Sequence, residues 1–469
     1  MPSAKNIFIL GISIILILLF PKSTLAQEDN FEAIWEYSLS GWAHMPIIKD
    51  GIVYNAWTGG ALAATDLKTG ELLRKADGVA DATAPFIVGN KIYSYDGYNT
   101  VYELDLNTFQ ELRTITIPYA QYTENIPYDE DTGYFFARQK DYPSYYWGRT
   151  SAFRLSDGQI VWSFPENFTD MWLGQQAPIV VGDSVYIFFA GAGKFSRVNK
   201  FTGEEIWTAD LGRGSRNGYN NPIYDPDNQY FYISESWNSI DSEVNAIRQS
   251  DGQIVWTISN PGRQIESTMT YYKNVLYLPL HVPGARGSYK AIDVLNNGET
   301  IWEEPGFYNE DGWGVNAVSE KYLYRGTHGN GGEEHLIIQD RYTGKLVWSQ
   351  SVDCAVPCTN PVQSEGIVII GTCSKLYGLK VGTGQKVDSG FHGLYATGFN
   401  PGAIDDGGHT PTPRPPEPGD GNNDGVVDGQ DFIIWLIHFG QNVSGVNNGD
   451  YDDNGQVGIS DYLIWVGHY

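Results

Sequence analysis

The chain has 469 residues, enough for two or more domains, and a formal net charge of -26 at pH 7. A chain this acidic is not expected to bind nucleic acid or anionic lipid. Aromatic residues make up 14% of the sequence, charged residues make up only 18%, and Gly is abundant, which indicates a folded, β-rich extracellular protein and excludes a disordered acidic tail.

Residues 1–26 have the pattern of a secretory signal peptide. Lys5 precedes the apolar run IFILGISIILILLF, whose 14 residues are too few to span a membrane comfortably. Thr24 and Ala26 supply small residues for cleavage before Gln27. An uncleaved N-terminal anchor is the alternative. No other stretch predicts membrane insertion, so we expect a protein that is secreted or associated with the cell surface.

Residues 27–402 contain a repeated polar turn followed by an apolar run, as in DLKTGELL, NKFTGEEIW and DRYTGKLVW. Successive copies lie 39 to 49 residues apart, and in five copies a Trp follows the turn glycine by four residues. The turn positions are Gly70, Phe109, Gly158, Gly203, Gly252, Gly298, Gly344 and Gly384, and the tryptophans are Trp162, Trp207, Trp256, Trp302 and Trp348.

A second hairpin signal, such as PFIVGNKIY or PIVVGDSVY, precedes most of these turns, so each unit predicts four short strands. Four strands every 40 to 50 residues indicate a β-propeller, because one blade alone cannot bury both faces of its sheet. Eight copies predict eight blades; a series of β-sandwiches is the alternative. The orphan segment Phe31 to Leu39, with Trp35 in the place of the repeat tryptophan, is predicted to pair with the last blade and close the ring.

The A-x-D-x-x-T-G-x-x-x-W repeat resembles that of the pyrroloquinoline quinone (PQQ) propellers, over roughly residues 31 to 390. That superfamily includes quinone-dependent alcohol dehydrogenases and non-catalytic assembly scaffolds of the outer membrane. The catalytic members hold the quinone with an adjacent Cys-Cys pair and a calcium ion. This chain has no adjacent Cys pair, which argues against PQQ as a cofactor, and it has no nucleotide loop, HExxH or GxSxG motif. Glycoside cleavage by a carboxylate pair stays open.

The loops on the face opposite the T-G turns are rich in aromatic and polar residues. Flat apolar rings with polar neighbours suit a carbohydrate or peptide ligand, whereas packing of the loops against each other is the alternative. The candidate residues are Trp42, Tyr145, Trp147, Trp172, Trp237 and Trp313.

The three cysteines are Cys354, Cys358 and Cys373. A two-residue turn at Glu365-Gly366 would place Cys358 opposite Cys373 on a hairpin, which favours a disulfide between them in an exported protein. Pairing of Cys354 with either of the others is the alternative.

Residues 403–419 form a Pro- and Gly-rich segment that predicts an extended linker. The stretch DGNNDGVVDGQD then has the spacing of an EF-hand calcium loop, with Gly425 at position 6 and the Val426 carbonyl at position 7. The oxygen side chains at positions 1, 3, 5, 9 and 12 are Asp420, Asn422, Asp424, Asp428 and Asp431. A polar turn without a metal is the alternative for this stretch alone.

The same spacing recurs 30 residues later in DYDDNGQVGISD. Gly455 takes position 6, Gln456 gives the carbonyl at position 7, and Gly458 leaves position 9 to a water. The side chains at positions 1, 3, 5 and 12 are Asp450, Asp452, Asn454 and Asp461. An apolar, helix-like segment follows each loop, so residues 420–469 predict a module that binds two calcium ions.

Two calcium loops, each followed by a short helix, resemble a type I dockerin. This resemblance implies a small α-helical module with paired EF-hand-like loops that binds a cohesin domain. In that family, loop positions 10 and 11 govern the choice of partner, and here they are Gly429 and Gln430 in the first loop and Ile459 and Ser460 in the second.

The sequence therefore predicts an all-β, eight-bladed propeller followed by a small α-helical, dockerin-like calcium module. The expected function is a secreted, non-catalytic binding or scaffold protein attached to a cohesin-bearing assembly of the kind that breaks down polysaccharides. The alternative is a dockerin-tagged secreted enzyme, either a glycan-active hydrolase or lyase or a PQQ-dependent dehydrogenase.

Overall fold

The chain divides into two units, Met1–Asp405 and Asp406–Tyr469, and each is described separately. The computed structural model describes residues 31–41, 43, 46–57, 59–80, 84–97, 99–118, 126–140, 148–169, 177–212, 222–236, 241–265, 269–282, 285–306, 316–319, 321–326, 334–352, 361–372, 374–381, 419, 421, 427, 429–443, 445–452 and 454–468.

The described residues of the first unit form eight antiparallel sheets of four strands each. The first strands are β2 (Ile47–Lys49), β6 (Phe86–Val88), β10 (Tyr128–Asp129), β14 (Ile179–Val181), β18 (Ile223–Asp225), β22 (Thr270–Tyr272), β26 (Asn316–Val318) and β30 (Val362–Ser364). The second strands are β3 (Ile52–Trp57), β7 (Lys91–Tyr95), β11 (Tyr134–Lys140), β15 (Ser184–Phe189), β19 (Tyr230–Ser236), β23 (Val275–Leu280), β27 (Tyr322–Gly326) and β31 (Ile367–Gly371).

The third and fourth strands complete each blade, and a short 3₁₀ turn at Ala190–Ala192 follows β15. The third strands are β4 (Ala61–Asp66), β8 (Thr100–Asp105), β12 (Gly148–Arg154), β16 (Lys194–Asn199), β20 (Ser242–Arg248), β24 (Ser288–Asp293), β28 (Glu334–Asp340) and β32 (Lys375–Val381). The fourth strands are β5 (Leu72–Asp77), β9 (Glu111–Thr116), β13 (Ile160–Thr169), β17 (Glu205–Asp210), β21 (Ile254–Asn260), β25 (Glu299–Pro305), β29 (Leu346–Val352) and, in blade 8, β1 (Phe31–Ser38).

The eight sheets are the blades of a propeller, because each packs its two faces against its neighbours. The second strands are almost fully buried, as in β15, whereas a fourth strand such as β5 is mostly exposed or half-buried. Eight apolar clusters each join two adjacent blades; the one containing Trp35, Val53 and Ile369 joins blade 8 to blade 1. Burial of this apolar surface between sheets is the main favourable term for the fold.

The first strand of the chain closes the ring, as the sequence predicted. β1 pairs antiparallel with β32, from Phe31 opposite Val381 to Ser38 opposite Lys375, with an irregularity between Ala33 and Trp35. The Leu39 N–H continues the pairing to the carbonyl of Ser374 at 2.6 Å. Blade 8 is therefore built from both ends of the propeller sequence.

The D-x-x-T-G turns have a common hydrogen-bond pattern. In blade 1, Asp66 Oδ1 accepts bonds from the Thr69 hydroxyl at 2.9 Å and the Thr69 backbone N–H at 2.8 Å. Gly70 then adopts a φ of +69°, and its N–H bonds back to the Asp66 carbonyl. Asp340 makes the same contacts in blade 7, and Asp105 makes them in blade 2, where Phe109 with a φ of +57° replaces the glycine. The aspartate thus satisfies the turn's backbone, and glycine suits its left-handed end.

Four tryptophans of the fourth strands lie on the turn glycine of the following blade. A Cβ on that glycine would lie 2.5 to 2.8 Å from the indole ring. The indole N–H also donates to the carbonyl three residues before that glycine, over 2.8 to 3.1 Å. The four pairs are Trp35 with Gly70, Trp162 with Gly203, Trp207 with Gly252 and Trp302 with Gly344.

The described residues of the second unit form two α-helices, α1 (Gly429–His438) and α2 (Ile459–His468), and a 3₁₀ turn at Val446–Asn448. Val427, Trp435, Tyr451, Val457 and Trp465 form its apolar core. Within the described part of the chain, neither helix has the length and apolar character needed to cross a bilayer.

The two halves of this unit repeat the same contact. A Cβ on Gly449 would lie 2.7 Å from the Cα of Trp435 in α1, and a Cβ on Gly419 would lie 2.9 Å from the Cα of Trp465 in α2. Both glycines have a positive φ, +82° and +98°. Each segment before a loop thus packs on the helix of the other half, which matches the 30-residue repeat in the sequence.

Candidate functional site

Three carboxylates of the second predicted calcium loop converge in the second unit. Asp450, Asp452 and Asp461 each offer an oxygen, and these oxygens all lie within 4.8 Å of one another. Two ligands of one calcium ion, each about 2.4 Å from it, are separated by at most about 5 Å. The three oxygens therefore fit a single hard cation, and oxygen is the ligand atom that calcium prefers.

Asp461 joins the two ends of this loop because it lies in the first turn of α2. Its Oδ1 accepts bonds from the backbone N–H groups of Tyr451 at 2.7 Å and Asp452 at 3.1 Å, and its Oδ2 accepts one from Gly458 at 2.7 Å. Asp461 is fully buried. The carboxylate at position 12 is thus held in place by the backbone on both sides of the loop.

The middle of the loop is wound around Asp450 and Asn454. Asp450 accepts bonds from the N–H groups of Asn454 at 3.0 Å and Gly455 at 2.9 Å, and Asn454 Oδ1 accepts one from Gln456 at 2.8 Å. Gly455 has a φ of +83°, as the sharp turn at position 6 requires. A bond from the Ser460 side chain lowers the pKa of Asp452, which favours the ionised form that a cation needs.

The first predicted loop is described only in part. Asp420, Asn422, Asp424, Val426 and Asp428 lie outside the described residues, so their role stays a prediction. Asp431 is described and fully buried, and its Oδ1 accepts a 2.8 Å bond from the Gly421 N–H. This is the equivalent of the Asp461–Tyr451 bond. The described residues of the first loop thus close it in the same way as the second.

The four predicted partner-contact positions begin the two helices: Gly429 and Gln430 start α1, and Ile459 and Ser460 start α2. The side chain of Ile459 is 67% exposed. Both helices also expose large apolar side chains at positions that the loop motifs do not indicate. These are Ile433, Leu436 and Ile437 on α1, Phe439 just after it, and Leu463 and Val466 on α2. The apolar-rich segments FIIWLIHF and YLIWV were the available signals for them.

The predicted ligand-binding aromatics of the propeller, Trp42, Tyr145, Trp147, Trp172, Trp237 and Trp313, lie outside the described residues. Cys354, Cys358 and Cys373 do so as well. The hairpin between them is described, with Ser364 opposite Ile367 across the turn at Glu365 and Gly366. The ligand surface and the disulfide therefore stay predictions.

The propeller is similar to known proteins in sequence and in fold. A family model described as outer membrane protein assembly factor BamB matches residues 27–258 and 146–305, which together make up more than half of the chain. The chain belongs to this family of PQQ-like propellers. No curated protein matches the chain in sequence.

Solved structures share the propeller fold at low sequence identity. BamB from Moraxella catarrhalis is 11% identical, with a TM-score of 0.55 over 75% of this chain and 100% of that one. The quinohemoprotein alcohol dehydrogenase ADHIIG from Pseudomonas putida HK5 is 12% identical, with a TM-score of 0.55 over 76% and 77%. The computationally designed Ika8 protein is 15% identical, with a TM-score of 0.52 over 73% and 98%. At these identities the likeness shows the fold alone.

Proposed function

We propose that this PQQ-like propeller is a secreted, non-catalytic binding or scaffold protein whose C-terminal unit binds two calcium ions. In this proposal the unit is a dockerin-like module that attaches the propeller to a cohesin-type domain of an extracellular or cell-surface assembly, such as one that breaks down polysaccharides. Membership of the BamB-type family supports a role in protein–protein interaction, and the signal-peptide pattern of residues 1–26 supports export.

The convergence of Asp450, Asp452 and Asp461 carries the calcium proposal. Three carboxylates this close repel one another, and a bound divalent cation offsets that repulsion. Two of the three side chains are buried, which makes the repulsion stronger because water screens it less. Calcium binding is therefore expected to stabilise the second unit.

The exposed apolar side chains support docking by the two helices. Ile433 and Leu436 of α1 are 56% and 52% exposed, and Leu463 and Val466 of α2, each 30 residues later, are 60% and 47% exposed. Covering these apolar side chains with a partner removes them from water, which favours binding. The two halves differ at loop positions 10 and 11, so a partner is not expected to bind both helices in the same way.

The first test is a calcium titration of the full-length protein by isothermal calorimetry. We expect two ions to bind, and we expect Asp450→Ala with Asp461→Ala to lose the second site. Asp77→Ala, which removes an exposed acid on β5, is the matched control and should bind as the wild type does. Failure of the wild type to bind calcium at millimolar concentration would contradict the calcium proposal.

The second test is calcium-dependent capture of the protein by a purified cohesin domain. Chelation of calcium and the double aspartate variant should both abolish capture, because the loops hold the two helices in position. A quinone absorbance band, or turnover on a panel of glycans, would instead favour the enzyme alternative and overturn the non-catalytic part of the proposal.

A further inference from the structure

We propose that Tyr451 positions the last calcium ligand of the first loop and so makes calcium binding to the two loops cooperative. The inference rests on the proposed calcium function and concerns how the two sites affect each other. Tyr451 is the second residue of the second loop, yet its side chain contacts the first.

Tyr451 bonds to the position-12 aspartate of both loops. Its backbone N–H donates to Asp461 Oδ1 at 2.7 Å, which closes its own loop. Its hydroxyl donates to the backbone carbonyl of Asp431 at 2.8 Å. The Tyr451 side chain is buried in the core between the loops, so this bond is shielded from water. One residue therefore links the closing contacts of the two predicted sites.

The equivalent residue of the first loop is Gly421, and the pair is complementary. A Cβ on Gly421 would lie 2.5 Å from the Tyr451 hydroxyl oxygen and 3.3 Å from its Cε1. The tyrosine thus occupies the space that a side chain of the first loop would fill. Gly421 also donates its N–H to Asp431 Oδ1, so the Tyr451 hydroxyl lies next to the hydrogen bond that closes the first loop.

This arrangement couples the sites through a short, contiguous path. Asp450 and Asp461 would hold a cation in the second loop, which would fix the backbone of Tyr451 between them. The Tyr451 hydroxyl then holds the Asp431 carbonyl, and with it the carboxylate that the first ion would use. The coupling is reciprocal, so filling the first loop must favour the second by the same factor.

The test compares calcium titrations of full-length wild type and Tyr451→Phe, which keeps the ring and removes the hydroxyl. A lost neutral hydrogen bond corresponds to about a three- to tenfold change in affinity. We expect the variant to bind two ions, with the first loop weakened by that factor and the cooperativity reduced. Tyr462→Phe, on α2 in the same core, is the matched control and should retain the wild-type isotherm.

A thermodynamic cycle separates coupling from a simple loss of packing. Asp450→Ala disables calcium binding to the second loop. In that background, Tyr451→Phe should lower the calcium affinity of the first loop much less than it does in the wild type. Gly421→Ala should also lower the calcium affinity of the first loop, because its added Cβ would displace the Tyr451 hydroxyl from the other side of this contact. If Tyr451→Phe binds two ions with the same affinities and the same cooperativity as the wild type, this inference alone is overturned. Absence of calcium binding to the wild type would overturn the calcium proposal and the inference together.

Discussion

At the scale of single residues, the indole N–H of a blade tryptophan ties one blade to the next. Trp162 donates to the carbonyl of Lys200, three residues before Gly203, at 2.8 Å. In blade 2, which lacks this tryptophan, another side chain donates to the equivalent carbonyl. Arg113 occupies the tryptophan position of blade 2 and donates to the carbonyl of Leu155 at 3.3 Å. Blade 2 thus keeps a hydrogen bond to the next blade without an indole ring.

Trp256 in blade 5 does not make this bond, and the cause is one additional residue in the turn of blade 6. In blade 6 the Gly298 N–H bonds to the carbonyl of Asp293, five residues back, whereas the Gly252 N–H bonds to Arg248, four back. The longer turn places Gly298 against Ile258. Among the described residues, the buried indole N–H of Trp256 has no hydrogen-bond partner.

This difference predicts that a Trp→Phe substitution lowers the free energy of unfolding by different amounts at positions 162 and 256. Trp162→Phe removes a donor and leaves the Lys200 carbonyl unsatisfied, which costs about 1–3 kcal/mol beyond the loss of ring volume. Trp256→Phe loses the same volume but no hydrogen bond, so it should cost less by about that amount. Urea unfolding of both variants measures the two free energies, and equal losses would contradict the hydrogen-bond argument.

At the scale of strands, Glu103 joins three strands of blade 2. This carboxylate on β8 is buried and accepts bonds from Lys91 on β7 at 2.6 Å and Arg113 on β9 at 2.7 Å, and from the Tyr93 hydroxyl at 3.1 Å. Burial raises the pKa of Glu103, but the bonds from Lys91 and Arg113 lower it by more, so the folded-state pKa lies below the ordinary value.

The lowered pKa predicts a pH-dependent contribution to stability. Because folding favours the ionised form, the contribution of Glu103 is present above the unfolded pKa of about 4.3 and is lost as the pH falls through the lower folded value. Glu103→Gln should therefore lower the free energy of unfolding by about 1–3 kcal/mol at pH 7. The difference in free energy of unfolding between this variant and the wild type should narrow as the pH falls below about 4.

The matched control is Glu111→Gln, since Glu111 is an exposed acid on β9 of the same blade. It should change stability little at either pH. Denaturant unfolding at several pH values measures all three proteins. If the difference in free energy of unfolding between Glu103→Gln and the wild type stays constant across the acid range, Glu103 is not ionised in the folded protein as argued.

The sequence predicted the elements of this fold better than their mutual contacts. The spacing of Gly70 and its equivalents predicted the blades, and the place of Trp35 predicted the closing strand, because both are local patterns with a fixed period. The contact between Tyr451 and Asp431 could not be predicted in this way. It depends on how two loop–helix halves pack together, and neither half alone encodes that geometry.

At the scale of the whole propeller, stability depends on closing a ring from distant segments. β1 supplies the fourth strand of blade 8, and Phe31 and Trp35 pack into the clusters on its two sides. Without β1, the strand β32 would become an open edge with unpaired backbone groups. Such an edge pairs readily with other chains, so closure also protects against association.

Deletion of residues 31–39 is therefore expected to destabilise the propeller and promote association. Burial of Phe31 and Trp35 alone contributes at least about 3 kcal/mol, since each large apolar side chain contributes about 1.5–3 kcal/mol. A synthetic peptide of residues 31–39 should restore the unfolding temperature and the monomeric state when added in excess, and a scrambled peptide should not. Thermal unfolding and size-exclusion chromatography measure both effects. A truncated protein that stays monomeric with unchanged stability would mean that the remaining strands hold the ring without this closure.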